Sequence, residues 1–412
     1  MDLLSNTVQP YAWGSRTAIP RLMGTPPTGE PQAELWMGAH PAAPSRVDRG
    51  RGPLPLDRVL RSDPATELGT PALRRFGPRL PFLLKLLAAD APLSLQVHPD
   101  PAQAEAGFAL ENALGVPLDA PHRTYRDPHH KPEMIVALTP FQGLCGFRSP
   151  RQCADLLDAL AVPALRPHAE VLRTRPEEAA LAEVFAAFLS PPEGLLGDVT
   201  AAVAAVAAHV GPHQEDLVRY AEVARAHPGD PGLLAALMLR RVELRPGESL
   251  FLGAGVPHAY LSGLGVEIMA NSDNVLRCGL TSKHVDAAEL LRVVRFTAPP
   301  GRVLTPGERA GEEIYPVPVD DFRLSRFRLG GAERPRPLPA GAPQIVLCVE
   351  GAARLTSAAT GDTLRIGPGR SLYVPAAEAV SLAGEGVVFR ATVGIEVASD
   401  ATPVLHEDAM NT

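Results

Sequence analysis

The chain has 412 residues, of which 45% are hydrophobic, and its formal net charge is −7. This length allows two or three compact units around sizeable cores. The acidic balance argues against the broad basic surface that binds nucleic acids or anionic membranes, so we predict neither partner. The first 16 residues lack a signal-peptide pattern and no apolar run is long enough to cross a bilayer, so we expect a cytoplasmic protein.

Several short segments in the first third of the chain are predicted to be strands. Short apolar runs at 81–87, 93–98 and 134–138 alternate with turn signals, and 101–114 reads as a short helix. Within 93–98, Ser94, Gln96 and His98 alternate with apolar residues. The three polar side chains therefore share one face of the predicted strand, and that face can line a pocket.

The middle of the chain is rich in alanine and predicts helices over 151–241, because its apolar residues recur at spacings of three and four. Strand patterns return at 239–252, with a turn at 245–248, and continue to residue 280. After Pro299 and Pro300, short strands separated by tight turns are typical of an antiparallel sandwich or jelly roll.

A short sequence pattern, called here the repeated phrase, occurs once in each of the two strand-rich regions. Residues 246–257 and 368–375 both begin with proline and glycine, and both continue through Ser-Leu to a later proline. Two related β-barrels are therefore expected. The second copy has Ala376 and Ala377 where the first has His258, so any metal is expected in the first barrel.

The predicted fold is mainly β with a helical insert: two cupin-like jelly-roll β-barrels plus an α-helical domain. The first, discontinuous barrel is assigned to 1–150 and 240–300. The helical insert is assigned to 151–239, and the C-terminal jelly roll to 301–412.

Four polar residues form a candidate metal set: Gln96, His98, Glu133 and His258. Two imidazoles, a carboxylate and an amide oxygen suit Zn²⁺ without any thiolate. The spacing alone leaves open that these histidines only hydrogen-bond within a core. Iron in an oxygenase is a second alternative, since two histidines and a carboxylate also form its ligand triad, although Gln96 as a fourth ligand would leave fewer open positions.

The four cysteines are scattered and form no Cys-x-x-Cys pair, so we predict free, buried thiols. Cys278 has a redox-sensitive alternative, but packing is the preferred interpretation. No glycine-rich loop before a helix supports the use of ATP or NAD.

Several separate segments resemble type I mannose-6-phosphate isomerases and occur in that family's order. They are Tyr-Ala-Trp-Gly-Ser at 11–15, Glu-Leu-Trp-Met-Gly-Ala-His-Pro at 34–41, Leu-Ser-Leu-Gln-Val-His-Pro-Asp at 93–100, Asp-Pro-His-His-Lys-Pro-Glu-Met at 127–134 and Asn-Ser-Asp-Asn-Val-Leu-Arg-Cys-Gly-Leu-Thr-Ser-Lys at 271–283. Ser282 departs from the family, which commonly has proline there.

The resemblance implies an aldose–ketose isomerase with one Zn²⁺ per chain that interconverts D-mannose 6-phosphate and D-fructose 6-phosphate through an enediolate, feeding mannose and GDP-mannose metabolism. A monomer is expected, with a dimer as the alternative. The implied residues are the zinc ligands Gln96, His98, Glu133 and His258, the catalytic Arg277, and the pocket residues Ser94, Lys131, Tyr260, Glu267 and Lys283.

The proton-transferring base is not fixed by these patterns, because Glu267, Lys131 and His130 are all eligible. Lys131 and Lys283 could instead hold the phosphate. His129 is interpreted as a loop residue, and Trp13 and Trp36 as packing residues. A sugar-binding protein without turnover is the alternative to an enzyme, and the presence of Arg277 with all four ligands argues against it.

Overall fold

The computed structural model describes residues 1–208, 211, 213–298, 303–331 and 334–395. Parts of all three predicted units fall outside these ranges, namely residues 299 and 300 of the first barrel, 209, 210 and 212 of the helical insert, and 301, 302, 332, 333 and 396–412 of the C-terminal jelly roll. Within the described ranges, no helix combines the length and apolar character needed to cross a membrane.

The described part of the chain contains 22 strands, numbered in chain order. They are β1 (Asp2–Leu3), β2 (Thr7–Gln9), β3 (Glu34–Gly38), β4 (Arg46–Asp48), β5 (Pro53–Pro55), β6 (Phe82–Ala89), β7 (Leu95–Val97), β8 (Glu133–Ala137), β9 (Phe141–Phe147), β10 (Leu239–Leu244), β11 (Ser249–Leu252), β12 (His258–Ala270), β13 (Leu276–Gly279), β14 (Val303–Leu304), β15 (Gly307–Arg309), β16 (Glu312–Ile314), β17 (Arg323–Gly330), β18 (Arg336–Leu338), β19 (Gln344–Ser357), β20 (Thr363–Ile366), β21 (Ser371–Val374) and β22 (Val380–Thr392).

Twelve α-helices and one 3-10 turn (Pro163–Leu165) occur in the same described ranges. The helices are α1 (Ala18–Met23), α2 (Leu56–Ser62), α3 (Pro64–Leu68), α4 (Thr70–Phe76), α5 (Pro101–Ala113), α6 (Pro150–Ala159), α7 (Arg166–Thr174), α8 (Glu177–Leu189), α9 (Leu195–Ala207), α10 (Gln214–Ala226), α11 (Gly232–Leu237) and α12 (Ala287–Val293).

Two large antiparallel sheets form most of the molecule. The first sheet has 11 strands, with the path β14-β11-β8-β12-β6-β3-β2, and β7, β9, β10 and β13 join it through β12 and one another. The second sheet has nine strands, with the path β1-β21-β19-β22-β17-β16-β15, and β18 and β20 pair with β22 and β19. The strands β4 and β5 form a separate pair.

The alternating side chains of strand β6 pack into two different cores, one between the sheets and one inside the first sheet. Leu84 and Leu86 lie on one face and pack with Ile345 of the second sheet. Residues of the opposite face, such as Leu87, join the interior of the first sheet around Tyr260. This period of two lets one strand serve both a core between the sheets and the pocket side of the first sheet.

The repeated phrase occupies equivalent places in the two sheets. Strands β11 and β21 each begin just after a Pro-Gly turn, where Gly247 and Gly369 adopt φ of 91° and 73°. Such positive φ favours glycine, which explains why both copies carry it. After the turn and strand, His258 opens β12 in the first copy, whereas Ala376 stands in the second.

The helices α6 to α11 occupy the segment between β9 and β10. Helix α6 begins with a capping box in which Ser149 and Gln152 satisfy each other's amides. The buried helix residues share one core with Leu95, Val97 and Leu276 of the first sheet. This packing places the helical segment directly against the strands that carry the candidate site.

All four cysteines are free and buried, as predicted. Burial raises the pKa of the Cys278 thiol, which keeps it protonated and favours the packing interpretation over the redox-sensitive one.

The sheet connectivity differs from the predicted boundaries at both ends. Asp2 and Leu3 pair with β21 in the second sheet instead of the first. Val303 and Leu304 pair with β11, so the first sheet extends beyond residue 300. Helices α1 to α4 also lie in the first 80 residues, which were assigned to the first barrel without any prediction of individual elements. Two-residue strands and short helices leave too little periodicity to be recognised.

Candidate metal centre and active site

Two histidines and one glutamate meet inside the first sheet. His98 directly follows β7, while Glu133 and His258 are the first residues of β8 and β12. His98 Nε2 lies 3.4 Å from Glu133 Oε1, and His258 Nε2 lies 3.5 Å from Glu133 Oε2. All three side chains are almost completely buried. Three separate strands therefore bring their ligand atoms within 4.8 Å of one another.

In each of the two histidines, Nδ1 is held by a hydrogen bond to a backbone carbonyl, on the side of the ring away from Glu133. His98 Nδ1 donates to the carbonyl of Asn274 at 2.9 Å, and His258 Nδ1 donates to that of Val256 at 2.9 Å. With the proton on Nδ1, the lone pair of each Nε2 faces Glu133. Such outer hydrogen bonds orient histidines for metal binding.

The cluster has the unsatisfied atoms that a metal ion would bind. Among the described residues, His98 Nε2 and Glu133 Oε2 are buried without a hydrogen-bond partner. Leaving such atoms unpaired costs free energy, whereas a bound cation would accept both lone pairs. Two imidazole nitrogens and a carboxylate also have the ligand chemistry of Zn²⁺. These residues fit a metal ion.

The protonation states agree with this interpretation. Burial lowers the pKa of His98 to about 4, against the opposing effect of Glu133. Burial alone would raise the pKa of Glu133, but its interactions with His98 and His258 and the charge of Lys131 lower it well below its usual range. At neutral pH the cluster therefore presents a neutral imidazole and an ionised carboxylate, the forms that bind metal.

Gln96 borders the cluster but its amide oxygen faces elsewhere. Its Nε2 donates to His258 Nε2 at 3.2 Å, while its Oε1 accepts a hydrogen bond from Arg277 NH1 at 2.7 Å. Ligation of a metal by Oε1 requires a rotation of this amide away from Arg277. The structure places Gln96 at the site, and its ligand role stays a prediction.

Arg277 and Ser94 lie together beside Gln96, on neighbouring strands. Besides Gln96, Arg277 NH1 donates to the hydroxyl of Ser94. Burial lowers the pKa of Arg277. Repulsion from Arg277, with burial adding to it, lowers the pKa of Lys283. The charges of Arg277 and Lys283 therefore act on each other, and two such cations suit the binding of an anionic substrate.

A buried charge network lies next to the cluster, and the sequence analysis missed its centre, Lys85. Lys85 Nζ lies 2.9 Å from Glu267 Oε2 and 3.4 Å from Glu34 Oε2. Trp36 Nε1 donates to Glu34 at 2.5 Å, so this tryptophan does more than pack. A lysine inside an apolar strand run was the available signal, because lysine is almost never buried unpaired.

Replacing Lys85 with methionine should lower the free energy of unfolding by about 3 kcal/mol or more, because removing one partner leaves a buried charge uncompensated. Urea unfolding followed by circular dichroism measures this. Arg61→Met is the matched control, since Arg61 pairs with Asp57 on an exposed helix surface, where such pairs contribute roughly 1 kcal/mol or less. Equal, small losses in both variants would contradict a structural role for the Lys85 network.

Lys131 and Tyr260 both border the cluster, and their roles in the substrate pocket stay predictions. Lys131 Nζ donates to the carbonyl of Ser272 at 2.7 Å and lies 3.7 Å from Glu133 Oε1. The hydroxyl of Tyr260 is buried without a hydrogen-bond partner among the described residues. Burial and the nearby charge of Glu267 raise its pKa, so the phenol stays protonated and can donate to a bound molecule.

His130 and His129 lie apart from this group. His130 Nε2 pairs with Asp321 Oδ2 at 2.9 Å, and both line a cavity of about 400 Å³ at the junction with the second sheet. Of the three candidate bases, His130 is thus the one whose hydrogen bond leads away from the metal cluster. Its role as a proton carrier stays a prediction.

Asn274 is a second residue that the sequence analysis did not single out. Its side-chain Oδ1 accepts from the backbone of Arg126 at 2.7 Å, its Nδ2 donates to the carbonyl of His129 at 2.8 Å, and its own carbonyl orients His98. It is completely buried. Asn274 therefore ties the loop before Glu133 to a metal-binding histidine.

Comparisons with known sequences give consistent results. Residues 1–150 match the family model of the catalytic domain of type I phosphomannose isomerase. The chain is 42% identical over 399 residues to the mannose-6-phosphate isomerase of Escherichia coli strain K12, covering 95% of this chain and 99% of that one. It is 32% identical over 411 residues to that of Homo sapiens, covering 92% of this chain and 94% of that one.

Solved structures share the fold over nearly the whole chain. A single-residue variant of phosphomannose isomerase from Salmonella typhimurium has a TM-score of 0.89 and 38% sequence identity, covering 96% of this chain and 100% of that one. A zinc-bound mannose 6-phosphate isomerase has a TM-score of 0.88 and 37% identity, covering 96% and 99%.

Proposed function

This chain belongs to the type I mannose-6-phosphate isomerase family and is an enzyme of that class, and we propose that it interconverts D-mannose 6-phosphate and D-fructose 6-phosphate at one Zn²⁺ per chain. The proposed ligands are His98, Glu133 and His258, joined by Gln96 after rotation of its amide. The observation that carries the proposal is the pair of buried, unpartnered ligand atoms on His98 and Glu133, which lie in the same pocket as Arg277.

The reaction requires an open-chain sugar, a proton moved between C2 and C1, and stabilisation of negative charge on the enediolate oxygens. Bound zinc supplies Lewis-acid polarisation of a sugar oxygen. Arg277 is proposed to face the developing enediolate charge, because its guanidinium is already oriented by the hydroxyl of Ser94. A cation held in place in this way stabilises charge without reorganising during the reaction.

The proton-transfer role is proposed for Lys131 in preference to the other candidates. Its Nζ lies beside Glu133, at the metal cluster. Glu267 is hydrogen-bonded to the Lys85 ammonium and His130 to the Asp321 carboxylate, so each is already engaged with a charged partner outside the metal cluster. Tyr260 can donate its free hydroxyl to a sugar oxygen, which fits the proposed role in substrate binding.

Lys283 is proposed to bind the phosphate group, while Arg277 faces the enediolate end of the sugar. Lys283→Met should raise KM for mannose 6-phosphate roughly tenfold through loss of one charge-assisted contact, while kcat changes far less. Steady-state kinetics measures both constants. An unchanged KM would remove Lys283 from phosphate binding.

Membership of the family also supports proposals about the structural units, the location and the metabolic role of the enzyme. We propose that the two sheets are cupin-like jelly-roll barrels, that residues 1–150 with 240–300, 151–239 and 301–412 approximate the structural units, and that the enzyme acts as a cytoplasmic monomer. We also propose that its product feeds mannose and GDP-mannose metabolism.

A coupled assay tests the substrate. Purified protein supplied with mannose 6-phosphate should form fructose 6-phosphate, and glucose 6-phosphate in the same assay should react far more slowly. Comparable rates on both sugars, or turnover of neither by folded, zinc-loaded protein, would contradict the proposed substrate. The second of these results would favour the sugar-binding alternative.

A further inference from the structure

The turn that joins α10 to α11, residues 227–232, contacts the stretch of chain between Arg277 and Lys283. The carboxylate of Asp230 accepts three backbone hydrogen bonds there. Its Oδ1 accepts from the amides of Gly232 at 2.7 Å and Leu280 at 2.9 Å, and its Oδ2 accepts from that of Thr281 at 2.9 Å. Leu280 and Thr281 lie between Arg277 and Lys283, so the carboxylate holds the stretch that joins these two cations.

The backbone at this stretch needs to be held. Leu280 adopts a φ of 56°, a left-handed conformation that a non-glycine residue rarely occupies, and Gly279 before it has a φ of 131°. Such conformations persist only where the surroundings fix them. A charged oxygen that accepts the Leu280 amide supplies that constraint.

The turn and the pocket edge are also in direct contact. A Cβ atom placed on Gly232 would lie 2.5 Å from the amide nitrogen of Leu280, so only glycine fits there. The close approach brings the Leu280 amide within reach of Asp230.

The same turn contacts the other side of the pocket as well. His227 Nε2 donates to the carbonyl of Pro92 at 3.0 Å. Pro92 precedes Ser94 by two residues, and Ser94 is the hydroxyl that accepts from Arg277. Both chain segments that flank Arg277 are therefore tied to one turn of the helical segment.

We propose that Asp230 is a positioning residue for the phosphate-binding edge of the pocket. By fixing the chain from Arg277 to Lys283, it sets the separation of the two cations, and it does so without touching the substrate. The helical segment thereby takes part in substrate recognition. The proposal deepens the proposed function and rests on the assignment of Lys283 to the phosphate and of Arg277 to the enediolate.

The test compares Asp230→Ala, Asp230→Asn and the control Asp198→Ala, whose carboxylate is exposed on α9 of the same helical segment. Asp230→Ala should raise KM for mannose 6-phosphate roughly tenfold with a far smaller change in kcat and unchanged metal content. Asp230→Asn keeps one acceptor and should show a smaller rise. The control should match the wild type.

Inorganic phosphate provides a readout that a general loss of stability would not move. Its inhibition constant should rise in parallel with KM in Asp230→Ala. Combined with Lys283→Met, the effect of Asp230→Ala on KM should be less than additive, because both changes act on the same contact. Unchanged KM and phosphate inhibition in both Asp230 variants, or strictly additive effects, would overturn the proposal.

Failure of the proposed function gives a result that differs from failure of the Asp230 proposal. Wild-type protein that does not turn over mannose 6-phosphate contradicts the isomerase assignment whatever the variants do. Calorimetric titration of wild type and Asp230→Asn with inorganic phosphate would then still decide the role of Asp230, since equal affinities contradict it and weaker binding by the variant supports it.

Discussion

Replacing Arg277 with alanine should lower kcat for mannose 6-phosphate roughly 100- to 1,000-fold, the loss typical when one donor to a developing negative charge is removed. The guanidinium is oriented before substrate arrives, because NH1 donates to the hydroxyl of Ser94. Metal content should stay at the wild-type level, since Arg277 is not one of the three clustered ligands. Steady-state kinetics with metal analysis on the same preparation measures both quantities.

Two further variants separate charge from geometry at this position. Arg277→Lys keeps the charge but loses the planar fork, so we expect turnover between those of alanine and wild type. Arg292→Ala is the control, because its side chain is 75% exposed and pairs with Glu289 away from the pocket. Near-normal turnover in Arg277→Ala would remove this arginine from the mechanism.

Replacing Glu133 with glutamine should abolish zinc binding at stoichiometric metal and, with it, nearly all turnover. The carboxylate is the one anion among the clustered ligands, and even groups that merely support a metal ligand weaken binding about 10- to 100-fold when lost. Loss of a direct, charged ligand should exceed this range. The near-isosteric amide keeps the packing, so the fold should survive.

Thermal unfolding with and without zinc gives the most informative comparison for Glu133→Gln. A ligand that binds only the folded state raises its stability, so the wild type should gain in Tm on addition of zinc. The variant should gain little, because a neutral amide replaces the charged ligand of the cluster. An equal gain in both proteins would show that zinc binds elsewhere.

Much of the site was predictable because its residues sit at strand positions with a readable pattern. The alternation of polar residues in 93–98 predicted one pocket-facing row, and Ser94, Gln96 and His98 do contribute to one site. The missing histidine in the second copy of the repeated phrase correctly predicted that the metal cluster lies in the first sheet.

Other features depend on contacts between distant residues, which local patterns do not encode. Lys85 lies in an apolar strand, and its function becomes visible only when Glu267, 182 positions later, is placed opposite it. The carboxylate of Asp230 meets the amide of Leu280 across 50 positions. The sequence also gave no indication that the Gln96 amide would turn its oxygen to Arg277.

The boundaries of the structural units were the least predictable part of the fold. Asp2 and Leu3 pair with Tyr373 and Leu372 almost at the other end of the chain. A two-residue strand of this kind is too short to show a sequence period. Its position depends on the strand of the second sheet with which it pairs.

The central claim is that turnover depends on zinc bound at His98, Glu133 and His258, and a zinc titration of chelator-treated protein tests it most directly. Conversion of mannose 6-phosphate to fructose 6-phosphate should be absent in the metal-free protein and rise in proportion to added zinc until about one equivalent per chain is bound, one ion being what a single cluster of this kind holds. Full turnover by metal-free protein, or none after zinc has bound, would contradict the account.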